Sequence, residues 1–479
     1  MGRHRPRGEL ACASVGSFDE RFETAAEIRA TGDRERALAA YHAIFLELEH
    51  EDDLESREAA AYALVLEAHI LSSLARFEDE LAVRRLIVER EHDAHEPELR
   101  ERVARTLVNM GSTYARLGRP HDQIAAYELV VERFGDADER ELADQVMTAL
   151  SMKASVLRGR GRLNEALVLY DAVLVRDEAM PDGGTSVAVA RALVERAACL
   201  ADLGRLAEAI DASRETAAHL EGTSDQQVSD VAVRARVDEA MFLGRFGDND
   251  AALEIYREIL ALPVDEHDDQ LIAFVLRACV EYSMTVRNLG RPEEALTCLR
   301  GTIARFEDVA SSLALPWIAW GVRVYARIVS ELGRVEEAIA AHDELVALLD
   351  PGETVESREW IADALLRKGD FLRDAGDRAG AVDAYRSVFD RFSLDHAGEL
   401  PRMAAGGGLE AARLSHTFLR FDTSFELAQA IVERFRGSAD AELQERVAVA
   451  EMIVNALANR KRLLGLLSRA GRAVWPASR

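Results

Sequence analysis

The chain has 479 residues, of which 48% are hydrophobic and 30% are charged, so its composition excludes an intrinsically disordered protein. The formal net charge of -26 at pH 7 argues against a general nucleic-acid binder, and we expect no nucleic-acid partner. No apolar run reaches the roughly 18 residues that a membrane-spanning helix needs.

The first 16 residues, MGRHRPRGELACASVG, are basic and lack an apolar stretch of signal-peptide length. We expect residues 1–16 to be disordered. Cys12 lies in this segment, whereas Cys199, Cys279 and Cys298 fall in helical patterns. No two cysteines have the CxxC spacing of zinc or redox motifs. They are therefore interpreted as small buried side chains in a reducing compartment, and the sequence predicts a cytoplasmic protein.

From residue 17 onward, a phrase of the form Leu-Gly-Arg, followed by an acid and an alanine, returns at a fixed interval. Consecutive copies are 43 residues apart, and the two places in the series without glycine hold Ala75 and Leu419. The glycines of the series are Gly32, Gly118, Gly161, Gly204, Gly247, Gly290, Gly333 and Gly376. We call these ten places the turn positions. A constant period of this length is typical of stacked structural repeats, and it predicts ten repeats over residues 17–438.

Two columns at fixed distances from the turn position indicate the structure of one repeat. The column seven residues before the turn position holds a small residue in all ten repeats, for example Ala68 and Gly111. The column six residues after the turn position holds a large apolar residue in all ten repeats, for example Leu81 and Leu253. Apolar residues recur with helical spacing on both sides. Each repeat is therefore predicted to be two helices, A and B, joined by a tight turn at which glycine tolerates a left-handed backbone.

This pattern resembles the tetratricopeptide repeat, whose signature includes a small residue, an aromatic residue, a turn glycine and then Ala-x-x-x-aromatic. Gly111, Tyr114 and Gly118 supply the first half, and Ala37 with Tyr41 is one of four pairs that supply the second. The repeat departs from the family in being longer than the usual 34 residues and in lacking the proline that closes helix B.

The period alone would also admit HEAT or armadillo repeats, but the glycine, alanine and tyrosine columns favour the tetratricopeptide type. This resemblance implies an all-α fold, a right-handed superhelical solenoid of helix-turn-helix repeats. It also implies a concave groove, lined mainly by helix A, that binds a peptide or a protein.

The polar face of helix A is where the resemblance places this groove. Its outermost column, thirteen residues before the turn position, varies between repeats and includes Tyr62, Arg105, Arg191, Arg234, Arg277 and Trp320. The arginines form either a basic strip for an acidic or phosphorylated peptide or local i,i+4 ion pairs. The carboxylates placed for such pairs are Glu195, Asp238 and Glu281. A charge run is more often a solvated face, which favours the local pairs.

A second candidate is an aromatic cluster in the eighth repeat, where Trp320 is followed by Tyr325 and Arg327. These residue types anchor many protein interfaces. The alternative is that they pack between repeats as part of the core. The sequence leaves both possibilities open.

Residues 439–479 are predicted to be a degenerate capping repeat, with an eleventh helix A at about 441–459, a degenerate helix B and a basic tail. The last 20 residues hold six basic residues and no acids. Such a tail could touch an anionic membrane, although covering the last core is the simpler role for it.

Motifs of catalysis are missing from the sequence, which has no GxxxxGK[ST], GxSxG or HExxH pattern. We therefore expect no enzyme, no cofactor and no metal site. The function predicted is a non-catalytic scaffold that holds a peptide or protein, acidic partners included, in the groove. The alternative is a regulatory or sensor subunit of a bacterial signalling system whose solenoid changes curvature when a ligand binds. The oligomeric state is not assigned.

Overall fold

The computed structural model describes residues 19–180, 186–223, 225–265, 267–306, 313–350 and 354–474, with side chains as far as Arg462. Every regular element in these ranges is an α-helix, which confirms the predicted all-α fold. Residues 1–16, predicted to be disordered, lie outside the described ranges, as do the last five residues of the basic tail. The right-handed superhelical path stays a prediction.

The chain divides into two compact units between Asp248 and Asn249. The first unit contains α1 (Asp19–Ala30), α2 (Arg34–Leu48), α3 (Leu54–Ser73), α4 (Phe77–Arg90), α5 (Pro97–Arg116), α6 (Pro120–Phe134), α7 (Arg140–Gly159), α8 (Leu163–Glu178), α9 (Val187–Asp202), α10 (Leu206–Leu220) and α11 (Gln226–Phe246). The second unit contains α12 (Asn249–Leu260), α13 (Asp269–Asn288), α14 (Pro292–Arg305), α15 (Leu315–Glu331), α16 (Val335–Leu349), α17 (Val355–Asp374), α18 (Arg378–Phe392), α19 (Leu400–Thr417), α20 (Phe421–Phe435) and α21 (Ala441–Val474).

The odd-numbered helices from α1 to α19 lie before a turn position and are the predicted helices A, and the even-numbered helices are the predicted helices B. Within each unit, helices A of successive repeats also contact one another, as α5 does α7 and α17 does α19. This is how stacked repeats bury a continuous core, since one helix pair is too small to cover its own apolar face. The division into ten repeats over residues 17–438 stays a prediction, which these observations support.

All ten turn positions have a left-handed backbone. The eight glycines have positive φ, 78° at Gly204 for example, and Ala75 and Leu419 have φ of 55° and 63°. After the turn, the Arg205 N–H donates to the Leu200 carbonyl at 2.9 Å, a bond that satisfies the end of helix A. The left-handed conformation is therefore set by the place in the repeat, and it is kept where the residue is alanine or leucine instead of glycine.

Buried tyrosines nine residues after the turn position hold the two helices of a repeat together. They are Tyr41, Tyr127, Tyr170, Tyr256 and Tyr385, all at most 2% exposed. At Gly111 the approach is so close that an added Cβ would lie 2.3 Å from Cε1 of Tyr127. The small column therefore makes room for the aromatic ring.

Paired side chains also join one repeat to the next. A residue ten after the turn position, on helix B, meets a residue eight before the following turn position, on helix A. The pairs are His42–Glu67, Glu128–Lys153, Asp171–Arg196, Arg214–Glu239 and Asp343–Lys368. The basic residue is on helix B at His42 and Arg214 and on helix A in the other three pairs, so either orientation occurs while the complementarity is kept. At Arg300 and Tyr325 a cation–π contact of 5.5 Å to the ring centroid takes the place of the ion pair.

The C-terminal region differs from the predicted helix pair. One helix, α21, runs without a break from Ala441 to Val474. The place where the next turn would fall holds Arg462, and strong helix formers surround it, so the helix continues. Among the described residues, no helix combines the length and the apolar character needed to cross a bilayer.

Candidate functional site

The eight residues predicted to bind a partner all lie on helices A. Tyr62, Arg105, Arg191 and Arg234 belong to the first unit, on α3, α5, α9 and α11. Arg277 lies on α13 of the second unit, and Trp320, Tyr325 and Arg327 lie on α15. Each unit therefore carries its own part of the predicted surface.

In the first unit, Tyr62 is half-buried and packs between repeats. Its ring centroid lies 5.4 Å from that of Phe22 on α1, and the Arg102 guanidinium lies 5.8 Å from it. Arg105 is paired within its own helix, 3.2 Å from Glu101. These two residues therefore contribute to packing and to local charge balance.

Of the ion pairs predicted within the arginine column, the pair at Arg234 forms and the pair at Arg191 does not. Arg234 lies 3.7 Å from Asp238, as predicted, and 2.5 Å from Glu195 of the preceding repeat. Glu195 also accepts a hydrogen bond from Arg158 at 2.7 Å. Because Glu195 is engaged by arginines of two other repeats, the predicted pair of Arg191 with Glu195 is wrong. Arg191 is exposed and makes no ion pair with the described residues.

In the second unit, Trp320 is 43% exposed, an unusual state for so large an apolar ring. The Arg323 guanidinium lies 5.5 Å from its ring centroid. Arg277 lies 5.7 Å from the ring centroid of Trp317, one helical turn before Trp320. Trp317, Trp320 and Arg323 on α15, together with Arg277 on α13, form what we call the Trp320 surface.

Arg327 is also exposed, and it shares a carboxylate with the preceding repeat. Its Nε lies 3.2 Å from Glu331, which Arg287 on α13 contacts as well. The hydrogen bond from Arg287, followed by that from Arg327, lowers the pKa of Glu331. This carboxylate therefore stays ionised and offsets the charge of Arg327.

Tyr325 is separate from the Trp320 surface, because five residues along an α-helix correspond to a rotation of roughly 140°. Its hydroxyl accepts a hydrogen bond from Arg300 on α14 and donates to Glu337 on α16 at 3.3 Å. The hydrogen bond with the Tyr325 hydroxyl is the main cause that raises the pKa of Arg300. The structure thus places Tyr325 between two helices B.

A cavity of about 440 Å³ lies beside Tyr325. Its polar lining is Arg300, Tyr325, Glu337 and Glu344, and its apolar lining is Ile303, Ala304, Val322, Ala340 and Ala341. Val322 stands in a column that holds leucine in five other repeats, and α16 contributes two alanines, so small side chains leave this space open.

Sequence reasoning missed Arg300, Glu337 and Glu344, because it followed helix A and these residues lie on helices B. The available signal was Val322, which stands where five other repeats hold leucine. Among the described residues, no three His, Cys, Asp or Glu side chains are grouped as a metal site would require.

Family models of the tetratricopeptide repeat match residues 104–136, 233–351 and 363–394. No curated protein matches the chain in sequence. Both results concern sequence alone, and the matched segments carry the turn glycines Gly118, Gly247, Gly290, Gly333 and Gly376.

Among solved structures, the apo form of RapI is 13% identical, with 80% of this chain and 99% of that chain covered and a TM-score of 0.46. The human IFIT1 dimer with m7Gppp-AAAA is 15% identical, with 91% and 88% covered and a TM-score of 0.43. The apo quorum sensor NprR from B. thuringiensis is 13% identical, with 87% and 98% covered and a TM-score of 0.40. At these values, what those proteins bind carries no inference for this chain.

Proposed function

We propose that this chain, whose helix pairs are repeats of the tetratricopeptide type, is a non-catalytic scaffold that binds a peptide or protein partner on its helices A. A scaffold of this kind needs an exposed face that varies between repeats, since the residues of the invariant columns pack the helices together and form the turns. We place the protein in the cytoplasm as part of the same proposal.

The exposed ring of Trp320 is the observation that carries the proposal. A tryptophan that leaves 43% of its surface in water has a large apolar area to bury, and tryptophan and arginine are both enriched at binding hot spots. Arg323, which lies beside the ring and pairs through Nε with Asp363 at 3.3 Å, has further N–H groups for a carboxylate or a backbone carbonyl. The Trp320 surface thus supports contact with a polypeptide.

An acidic partner is supported by Arg191 in the first unit. The other arginines described in this column have local carboxylates or aromatic rings beside them, whereas Arg191 is exposed without an ion pair among the described residues. An unpaired guanidinium favours a carboxylate or phosphate ligand.

The test is photo-crosslinking from two sites of equal exposure in the eighth repeat. A photoreactive phenylalanine analogue is placed at Trp320 on α15 or at Leu348 on α16, which are 43% and 41% exposed. In the native host we expect one or a few proteins to be crosslinked from position 320 and not from position 348. Capture of the same proteins from both positions would mean that helix A is not the binding face.

A second candidate function, a regulatory sensor, is supported by the cavity beside Tyr325. Its volume of about 440 Å³ suits a small ligand, and its lining combines one cation, one hydroxyl and two carboxylates. Val322→Leu introduces the residue that five other repeats hold at this place and fills part of this space. A ligand that raises the thermal unfolding midpoint and changes the solution scattering curve of the wild type, with both effects lost in Val322→Leu, would establish this function.

A further inference from the structure

Two cysteines 19 residues apart in the sequence meet inside the seventh repeat. Cys279 lies on α13 and Cys298 lies on α14, and their Sγ atoms are 3.4 Å apart. This is hydrogen-bonding distance between two thiols, and a disulfide needs a sulfur–sulfur distance of about 2.05 Å. The two free thiols are therefore in direct contact, and their sulfurs must approach by about 1.4 Å to form a covalent bond.

We propose that Cys279 and Cys298 are a redox-active dithiol, oxidised to an intramolecular disulfide by exchange with a small disulfide such as oxidised glutathione. The co-reactant is a compound of the cytoplasmic thiol pool, so the exchange needs no metal and no further cofactor.

The two thiols differ in the way that such an exchange requires. Cys298 is partly exposed, whereas Cys279 is 1% exposed. The hydrogen bond between the sulfurs lowers the pKa of the Cys298 thiol, and Ser283 and Thr302 act in the same direction. That same hydrogen bond, together with burial, raises the pKa of Cys279. Cys298 is therefore the attacking thiolate and Cys279 the resolving thiol.

The exchange takes two balanced steps. The Cys298 thiolate attacks one sulfur of oxidised glutathione, which forms a mixed disulfide and releases one glutathione thiolate. Cys279 then loses its proton to solvent or to the released thiolate, and its sulfur attacks Sγ of Cys298. A second glutathione leaves, so that two protein thiols are oxidised and one small disulfide is reduced to two thiols.

The disulfide would join α13 and α14 of one repeat and so fix one helix A against its helix B. Cys298 lies two residues before Arg300, whose side chain lines the cavity beside Tyr325. Oxidation is therefore expected to slow amide exchange in α13 and α14 and to leave the first unit unchanged.

Thiol counting on the full-length folded chain tests the proposal. After incubation with oxidised glutathione, the protein is quenched in acid, unfolded, alkylated and analysed by peptide mass spectrometry. The four thiols of the reduced chain should fall to two, with one peptide pair joined through Cys279 and Cys298. Retention of all four thiols, or a linkage that involves Cys199 or a second chain, would overturn the proposal.

Single variants separate the two roles. In Cys279→Ala, position 298 should accumulate a stable mixed disulfide with glutathione, whereas in Cys298→Ala no modification of position 279 is expected. The column of Cys298 holds alanine in five other repeats, so Cys298→Ala keeps a side chain that this fold accepts.

Cys199→Ala is the matched control, because Cys199 is buried alone with its sulfur 3.2 Å from the Leu163 carbonyl. It should still form the Cys279–Cys298 disulfide, and glutathione found on both single variants alike would contradict the assigned roles.

Discussion

At single residues, the clearest strain is at the two turn positions that lack glycine. Ala75 and Leu419 have φ of 55° and 63°, a conformation that costs an L-residue roughly 1–2 kcal/mol and that glycine adopts freely. The surrounding helices enforce the turn, so the strain persists. Both residues mark places where the period of 43 predicts the backbone better than the residue type does.

Replacing either residue by glycine should therefore stabilise the protein. We expect Ala75→Gly and Leu419→Gly each to raise the free energy of unfolding of the surrounding repeats by about 1 kcal/mol. Denaturant titration followed by circular dichroism measures this change. Ala43→Gly, at an exposed position inside α2, is the control and should destabilise by about 1 kcal/mol. Equal losses at positions 43 and 75 would contradict the strained turn.

His342 takes the place of tyrosine nine residues after its turn position and is 2% exposed. It stacks on Phe371 with ring centroids 5.6 Å apart, and its Nδ1 has no hydrogen-bond partner. Burial lowers its pKa from 6.5 to about 4. The charged groups around it are Asp363, Arg323, Arg367 and Asp343.

This buried imidazole predicts a loss of stability in mild acid. The unfolded chain binds a proton at His342 near pH 6.5 and the folded chain only near pH 4, so its contribution is complete above pH 6.5 and falls between these values. The loss is at most about 3 kcal/mol. His342→Tyr, which restores the residue of five other repeats, should flatten this part of the stability curve, measured by urea titration from pH 7 to pH 4. His50→Gln, at an exposed histidine, should leave the stability curve unchanged. Equal effects of the two substitutions would contradict the assignment of the acid sensitivity to His342.

At the scale of helices, the contacts between repeats use charge pairs that occur in either orientation. Asp171 on α8 lies 2.6 Å from Arg196 on α9, and in the next repeat Arg214 lies 2.9 Å from Glu239. Since either orientation occurs at the same place, what the interface requires is complementarity. Such pairs also disfavour stacking of repeats in the wrong order, because like charges would then meet.

A charge swap tests this idea. Arg196→Asp alone should destabilise the first unit, since it places two carboxylates together, and Asp171→Arg added to it should restore most of the loss. Both side chains are partly exposed, so the coupling energy should be below about 1 kcal/mol. A double-mutant cycle of urea midpoints at low and high salt measures it. Zero coupling at low salt would mean that the pair is incidental.

The helix hairpins could be predicted from the sequence because helical spacing and the turn column are local signals. Two features were not local. Glu195 binds Arg158 and Arg234 of other repeats, so spacing within one helix gave the wrong partner for Arg191. Cys279 and Cys298 meet across a hairpin. These two features depend on which helix lies opposite. The continuation of α21 has a local cause, the helix formers around Arg462, which the expectation of a further turn overlooked.

At the scale of the molecule, the pattern of helix contacts is short-ranged along the chain. Among the described helices, every contacting pair is adjacent or next but one in chain order. The stability of such a protein is approximately a sum of repeat and nearest-neighbour contributions. The sequence predicted the repeats, but the division at Asp248 was not visible in it, because Gly247 has the same turn signal as the other repeats.

This short range predicts that damage to one repeat stays local. Tyr385 is 2% exposed and donates a hydrogen bond to Asp370 at 2.8 Å, so Tyr385→Ala should cost about 3–5 kcal/mol in its own region. Hydrogen exchange followed by mass spectrometry should show faster exchange in α17 to α20 and no change in α1 to α8. Tyr127→Ala, in the same column of the first unit, should give the reverse pattern. If either variant accelerated exchange throughout the chain, the repeats would unfold as one cooperative body and the nearest-neighbour description would not hold.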